Sequence, residues 1–283
     1  VSIREPFAED AYETITYPVV FHLIQDKTKV ELGQGVGADI VNYAFNTIYN
    51  CFARTAAFSP NGADTKIRFR LAEYDPNGRK MEEKGINRYS LSTSDLNNLN
   101  PEKIKNNPKI CWDYKRYLNI WIVENMGNSV STPHYILNTA DLNQIQGVSF
   151  EQLSLEEIEK QEYSLTDIGL IYGARDFAIE DVGYPTQMGK FFGLLDTENQ
   201  KEDYCEDTFA YNTYKEPWNT ALEGSNSRLK ISTDGLIFYS VNIMDASSYK
   251  NTISMDQVKR IRTITDNCPH RWAWKSDWAF TGK

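Results

Sequence analysis

Thr186-Gln187-Met188-Gly189-Lys190-Phe191-Phe192-Gly193-Leu194-Leu195-Asp196 is the stretch on which the reading of this chain turns. Pro185 precedes it, and proline sits readily in a first helical turn. The stretch therefore reads as a helix over 185–194, with Gly193 at its C-terminal end. Taken alone it is an amphipathic core helix whose polar positions are Thr186, Gln187, Lys190 and, just beyond the glycine, Asp196.

Those positions have the spacing of the signature H-E-x-x-H-x-x-G-x-x-H, in which a helix carries two zinc-binding histidines and a general-base glutamate. Laid over it, the zinc-ligand positions fall on Thr186, Lys190 and Asp196, the general base on Gln187, and the glycine is kept as Gly193. The flanking sequence follows the same series. Phe191-Phe192-Gly193-Leu194-Leu195 is similar to H-Y-F-G-L-L-H. Asp203-Tyr204-Cys205-Glu206-Asp207-Thr208 is similar to D-x-C-D-D-T-P, with Phe209 for the proline. Asn242-Ile243-Met244-Asp245 is similar to an N-I-M-D-Y Met-turn, with Ala246 for the tyrosine. Ser254 to Arg262 is similar to F-T-x-x-Q-x-x-R-M-R. Upstream, Asp64 to Ala72, Asp75-Pro76-Asn77-Gly78, Gly85-Ile86-Asn87-Arg88 and Arg116 to Val123 continue the series. The matches keep one order from about Tyr17 to Arg271, and they resemble the pappalysin-like metzincins, zinc peptidases found as bacterial secreted or lipoprotein enzymes.

The resemblance implies an α/β (α+β) zincin fold: a twisted mixed sheet, a backing helix, an active-site helix, and an irregular C-terminal subdomain. Residues 1–16, polar and mixed with several acids, read as an N-terminal arm, and the resemblance implies one domain over 17–283, divided near Asp196 into an upper part (17–196) and a lower part (197–283). It also implies export, to the medium or to a lipid-anchored place on the cell surface, although no signal peptide is legible.

The chemistry that the family needs is replaced. Zinc takes nitrogen, sulfur or carboxylate donors. Thr186 is not a usual ligand. The Lys190 ammonium donates hydrogen bonds, accepts none, and repels a dication. Asp196 alone is not a site. Gln187 cannot take up a proton near neutral pH, and the tyrosine position of the Met-turn is Ala246. The framework positions Gly193 and Met244 remain. The histidines are only three, His22, His134 and His270, and they are scattered. No zinc is expected. If the backbone is kept, Lys190 and Asp196 should meet where metal once sat, with Thr186 and Gln187 hydrogen-bonded nearby.

Calcium is the one cofactor left open. Relatives place one near the segment matched by Asp203 to Thr208, and Asp203, Glu206, Asp207 and Thr208 offer the oxygen ligands that calcium prefers. An acidic loop is more often a solvated face. Cys51, Cys111, Cys205 and Cys268 form no C-x-x-C pair. They read either as buried thiols or as two disulfides with three possible connectivities. The family's disulfide from the position of Cys205 needs a cysteine just before the Met-turn, and this chain has none there.

Composition bounds the rest. The chain has 283 residues, 41% hydrophobic and 13% aromatic, enough for a core and against a disordered chain. Its net charge of -9 argues against nucleic acid, whose binding needs phosphate neutralisation. No apolar run reaches the roughly 18 residues of a membrane span. In order, the pattern gives a buried strand at 17–24, a loop over 33–37, a helix at 38–53, and a half-buried strand at 67–71. A turn at 75–78 precedes a polar surface insert over 81–109 with a short helix near 101–106. Strands follow at 118–123 and 168–172, with a short acidic helix within 153–162 between them. The last helix starts at Ser254, and a tryptophan-rich tail packs back on the body. His22 reads as a satisfied sheet histidine and His134 as a loop residue at the cleft rim.

Three functions are compatible with these residues. The leading one is a non-catalytic pseudopeptidase whose old cleft binds a protein, peptide or glycan. The others are a different hydrolase on the same cleft, for which Glu198, Glu202, Asp203, Glu206 and Asp207 are the candidate acids, and an active zinc peptidase.

Overall fold

The structure, a computed structural model, describes residues 12–28, 36–55, 62–179, 183–197, 202–211, 229–245 and 250–283. Glu198, Ala246, the loop over 33–35 and most of the N-terminal arm lie outside the described residues. In chain order the elements are β1 (Ile15–Asp26), α1 (Ala38–Phe52), β2 (Ile67–Leu71), β3 (Ile86–Leu91), α2 (Thr93–Asn97), α3 (Pro101–Lys105), β4 (Leu118–Val123) and β5 (Tyr135–Leu137). There follow β6 (Glu151–Leu153), α4 (Leu155–Ile158), β7 (Gly169–Gly173), α5 (Ala174–Ala178), α6 (Tyr184–Phe191), β8 (Leu229–Ile231), β9 (Ile237–Tyr239), α7 (Met255–Asn267) and α8 (Trp278–Thr281).

β1 is the axis of a five-stranded sheet of order β2-β1-β4-β7, with β3 also on β1. All four pairings are parallel. Residues 15–19 of β1 pair with β2 and residues 21–26 with β3. The antiparallel component is a bridge from Ser129 to Ile171 on β7. A parallel strand covered on both faces reads as a near-continuous apolar run, and that is why β1 and β4 were legible. Alternation still decides which face each side chain serves. Val19, Phe21 and Leu23 of β1, with Ile120 and Ile122 of β4, pack with Val41, Ala44, Ile48 and Phe52 of α1 and Met188 and Phe191 of α6. Ile24, Trp121, Val123 and Ile171 pack on the opposite face with Leu96, Ile104, Ile110 and Leu165. The two expected helices, backing and central, thus share one face of the sheet.

Residues 81–109 are not simply a surface insert. Ile86–Leu91 joins the sheet as β3, carrying only Ile86 as a buried residue. An edge strand needs one apolar contact face and tolerates polar residues elsewhere, so its sequence hid it. β1 also starts two residues earlier than the arm boundary at residue 16 allowed. α4 has the capping box expected from Ser154 and Glu157. The tail packs back through the Trp278 Nε1–H bond to the Asp75 carbonyl at 3.2 Å and through Arg116, which lies 4.2 Å over the Trp278 ring. The four cysteines are free thiols. Burial pushes Cys51 up to about 12 and Cys111 up to about 11. No described helix is long and apolar enough to cross a membrane.

Candidate functional site

α6 carries the site, and its end is built by the backbone. Phe192 is its C-cap, and Gly193 follows at φ +81°. Gly193 N donates to the Lys190 carbonyl at 2.8 Å and Leu194 N to the Gly189 carbonyl at 2.9 Å. That pair of bonds is a Schellman closure, which glycine enters without the penalty a Cβ would bring. Space forces the same choice: a Cβ on Gly193 would lie 2.1 Å from Ile264 Cδ1 of α7. The closure turns the chain back, so Asp196 returns to the helix end.

Lys190 Nζ stands 3.0 Å from Asp196 Oδ1 and 3.1 Å from Oδ2. Their side chains are 31% and 28% exposed, so the expected ion pair is present and half-buried. One turn earlier the Thr186 hydroxyl donates to the Ile243 carbonyl at 2.5 Å and accepts from Lys250 Nζ at 3.0 Å. Gln187 departs from expectation. It lines a separate cavity of about 10 Å³ with Asn128, Tyr172, Asp176 and Tyr184. Among the described residues no hydrogen bond joins its amide to the Lys190–Asp196 pair.

The Met-turn lies against α6. A Cβ on Gly189 would come within 2.8 Å of Met244 Sδ, so helix and turn touch through the missing side chain. Thr197 Oγ1 donates to Asp245 Oδ1 at 2.6 Å and lies 3.3 Å from the Met244 carbonyl. Asn242 Oδ1 accepts from Met244 N at 2.9 Å, and the Asn242 amide exchanges two bonds with the Gln257 amide at 2.8 and 3.1 Å. Gln257 also closes the capping box of α7 with Ser254. One glutamine thus ties the start of α7 to the turn, while Arg260 Nε reaches the Gly193 carbonyl at 2.6 Å.

The sequence reading missed Arg271. It is 1% exposed. Its Nε donates to the Phe191 carbonyl at 2.8 Å, its Nη1 to the Asp167 carbonyl, and its Nη2 to the Ser131 carbonyl at 3.4 Å. Its guanidinium lies 3.6 Å from the Phe191 ring centroid, and its own carbonyl accepts from the Tyr17 hydroxyl at 2.6 Å. It joins the end of α6 to the rim segment, to the turn before β7, and to β1. A single arginine in a tryptophan-rich tail carries no periodic signal, so nothing local marked it.

The histidines are engaged elsewhere. His22 Nδ1 accepts from Asn87 Nδ2 at 2.9 Å, which leaves Nε2–H to donate to Asn119 Oδ1 at 2.8 Å. Burial holds its pKa down at about 4, as befits a neutral sheet histidine. His270 packs edge-on against Tyr114 and Tyr135 and is lowered to about 4 by burial, with Arg271 adding to the effect. His134 is exposed at the rim, its Nε2 3.5 Å from Asp167 Oδ1.

The acidic segment is not gathered into one site. Asp203 is buried and accepts from Thr208 Oγ1 at 2.6 Å and Cys205 N at 3.2 Å; desolvation raises its pKa. Asp207 turns to α7 and accepts from Ser254 Oγ at 2.7 Å and Asp256 N at 2.9 Å. Glu202 and Glu206 are exposed. Among the described residues no three His, Cys, Asp or Glu side chains come together to hold a metal ion. Among the described residues the donor set at the α6 end does not fit zinc either: the Lys190 ammonium is hydrogen-bonded to both oxygens of Asp196 and brings no lone pair of its own.

Solved structures share the fold of this chain. A promirolysin point mutant from Tannerella forsythia superposes with a TM-score of 0.60 at 18% identity, over 96% of this chain and 87% of that one. Mature mirolysin from the same organism, in complex with a cleaved peptide, gives a TM-score of 0.58 at 18% identity, over 95% and 97%. Mirolysin with a bound compound gives 0.60 at 18%, over 95% and 98%. The fold is that of a zincin-type metallopeptidase. No family model matches the sequence, and no curated protein matches it. The zincin frame is therefore kept at a level of identity where fold alone is shared.

Proposed function

We propose that this chain is a non-catalytic relative of the pappalysin-like zinc peptidases, exported from its cell, which uses the former cleft to bind a protein, peptide or glycan. One observation carries the reading. At the helix end where the signature places its second and third histidines, Lys190 and Asp196 form a two-oxygen ion pair. A fixed ammonium there opposes a dication and offers no lone pair to one. The general-base position, Gln187, holds an amide, which takes up no proton near neutral pH. The Gly193 closure and the Gly189–Met244 contact hold the helix end and the Met-turn together, which supports the reading.

The test combines metal analysis with restoration. The native chain, loaded with zinc and dialysed, is expected to retain far less than one zinc per chain and to cleave nothing in a broad peptide panel. The variant Thr186→His, Gln187→Glu, Lys190→His, Asp196→His is expected to take up zinc while folded. Stoichiometric zinc or peptide cleavage in the native chain overturns the reading. A folded variant that binds no zinc removes its main support.

A further inference from the structure

We propose that the cavity between β9 and the Met-turn is a binding site for a neutral saccharide. It measures about 360 Å³, within the range of about 300–1,000 Å³ typical of small-molecule sites. Phe209, Phe238 and Tyr239 supply its rings, and Asp207, Asn242 and Asp245 its principal polar groups. Thr197, next after Asp196, also lines it, so it opens one residue beyond the closed metal positions.

The rings are presented rather than buried. Phe209 is 47% exposed and Tyr239 62%. Phe209 is held by the Phe238 ring, with centroids 5.2 Å apart. The polar groups are fixed in advance. Asp245 is 3% exposed, and its Oδ1 and Oδ2 accept from Thr197 Oγ1 at 2.6 Å and Asn242 N at 3.2 Å. Asp207 is held through both oxygens by Ser254 and Asp256. Asp245 is further held by the Ser240 hydroxyl and orders the wall, while exposed Asp207 keeps a second lone pair on each oxygen for an incoming hydroxyl, and a ligand meeting groups already oriented loses less entropy on binding.

Charge selects among ligands. Among the described residues no basic side chain lines the cavity, yet a cation is not what it lacks. Lys230 is buried, its ammonium 4.8 Å over the Tyr211 ring, and its charge acts on Asp245 against the effect of burial. The buried carboxylate thus has its countercharge within the chain. A ligand that suits rings and fixed oxygens without adding charge has an apolar C–H face and many hydroxyls. A sugar ring has both.

The inference rests on the reading above only in choosing glycan among its ligand classes. The experiment titrates the full chain with maltotetraose, cellotetraose and chitotetraose to millimolar concentrations by calorimetry and saturation-transfer NMR. At least one should bind saturably. Tyr239→Ala should weaken it about tenfold, as loss of an aromatic contact at the centre of a site does, and Phe209→Ala likewise. Ile237→Ala, which removes an exposed apolar residue outside the cavity, should change nothing. All three residues are exposed, so the variants should melt with the native chain. The inference is overturned if no tetrasaccharide binds, if Ile237→Ala weakens binding as much as Tyr239→Ala, or if hexalysine displaces the sugar. Failure of all three sugars in a chain free of zinc and cleavage leaves the pseudopeptidase reading standing. Zinc and cleavage alongside sugar binding would remove that reading and keep this one.

Discussion

Replacing Arg271, which is 1% exposed, should cost the fold substantial stability. Arg271→Met keeps most of the apolar stem but deletes three donors. The Phe191, Asp167 and Ser131 carbonyls then lose their partners in the interior. A hydrogen bond to a charged group contributes about 1.5–3 kcal/mol, and the 3.4 Å bond to Ser131 belongs at the weak end. Against this, methionine relieves the burial of a charge that no described carboxylate bonds, burial that already holds the Arg271 pKa down. The balance is a loss of about 3–5 kcal/mol, two full charge-assisted hydrogen bonds and one weak one less the relief of a buried charge. At about 2–4 °C per kcal/mol for a domain near this size, the melting temperature should fall by about 6–20 °C. Arg271→Lys keeps the charge and one or two bonds, and should fall between native and Arg271→Met. Calorimetry and guanidinium unfolding at neutral pH give the stability; amide exchange at the α6 end and the 127–138 rim shows whether the loss is focused there. A loss below about 1 kcal/mol, or exchange that rises evenly over the chain, would refute a joining role for this residue.

Gly193→Ala should destabilise by about 3 kcal/mol, from left-handed backbone at about 1–2 and overpacking against Ile264 at about 1–3, measured by denaturant unfolding. His22 and His270 are both lowered to about 4 in the folded chain, against about 6.5 unfolded. Between those values the unfolded state binds the protons, so their stabilisation is full above about pH 6.5 and is lost as pH falls toward 4, by up to about 1.4 kcal/mol per pH unit for each histidine. Unfolding midpoints at pH 7, 6 and 5 should fall accordingly, and His270→Phe should flatten the slope; a pH-independent midpoint contradicts the assignment. Millimolar calcium or EDTA should leave the melting temperature unchanged, because Asp203 and Asp207 already bond protein donors; a clear rise with calcium would give the 203–208 segment a cation.

Local pattern was enough wherever a residue's neighbours in sequence are also its neighbours in force. Leu118–Val123 and Ile67–Leu71 are strands as read, because burial on two faces writes a continuous apolar run and burial on one writes a period-two alternation. Ser254 caps α7 and Gly193 ends α6 because capping is a matter of a few bonds within one turn. The Lys190–Asp196 pair was legible through the signature's spacing, which puts the two positions together in an intact relative, and the glycine closure between them sets the return here. What sequence could not decide were contacts made across the chain. β3 is largely polar because it lies at the sheet edge, and its partners on β1 are more than sixty positions away. Gln187 lines a small void with Asn128, Tyr172 and Asp176, residues brought beside it from other segments. Arg271 gathers carbonyls from positions 131, 167 and 191, none of which is marked by its own side chain. Backbone acceptors are the same at every residue, so only the fold determines which of them a buried guanidinium will meet.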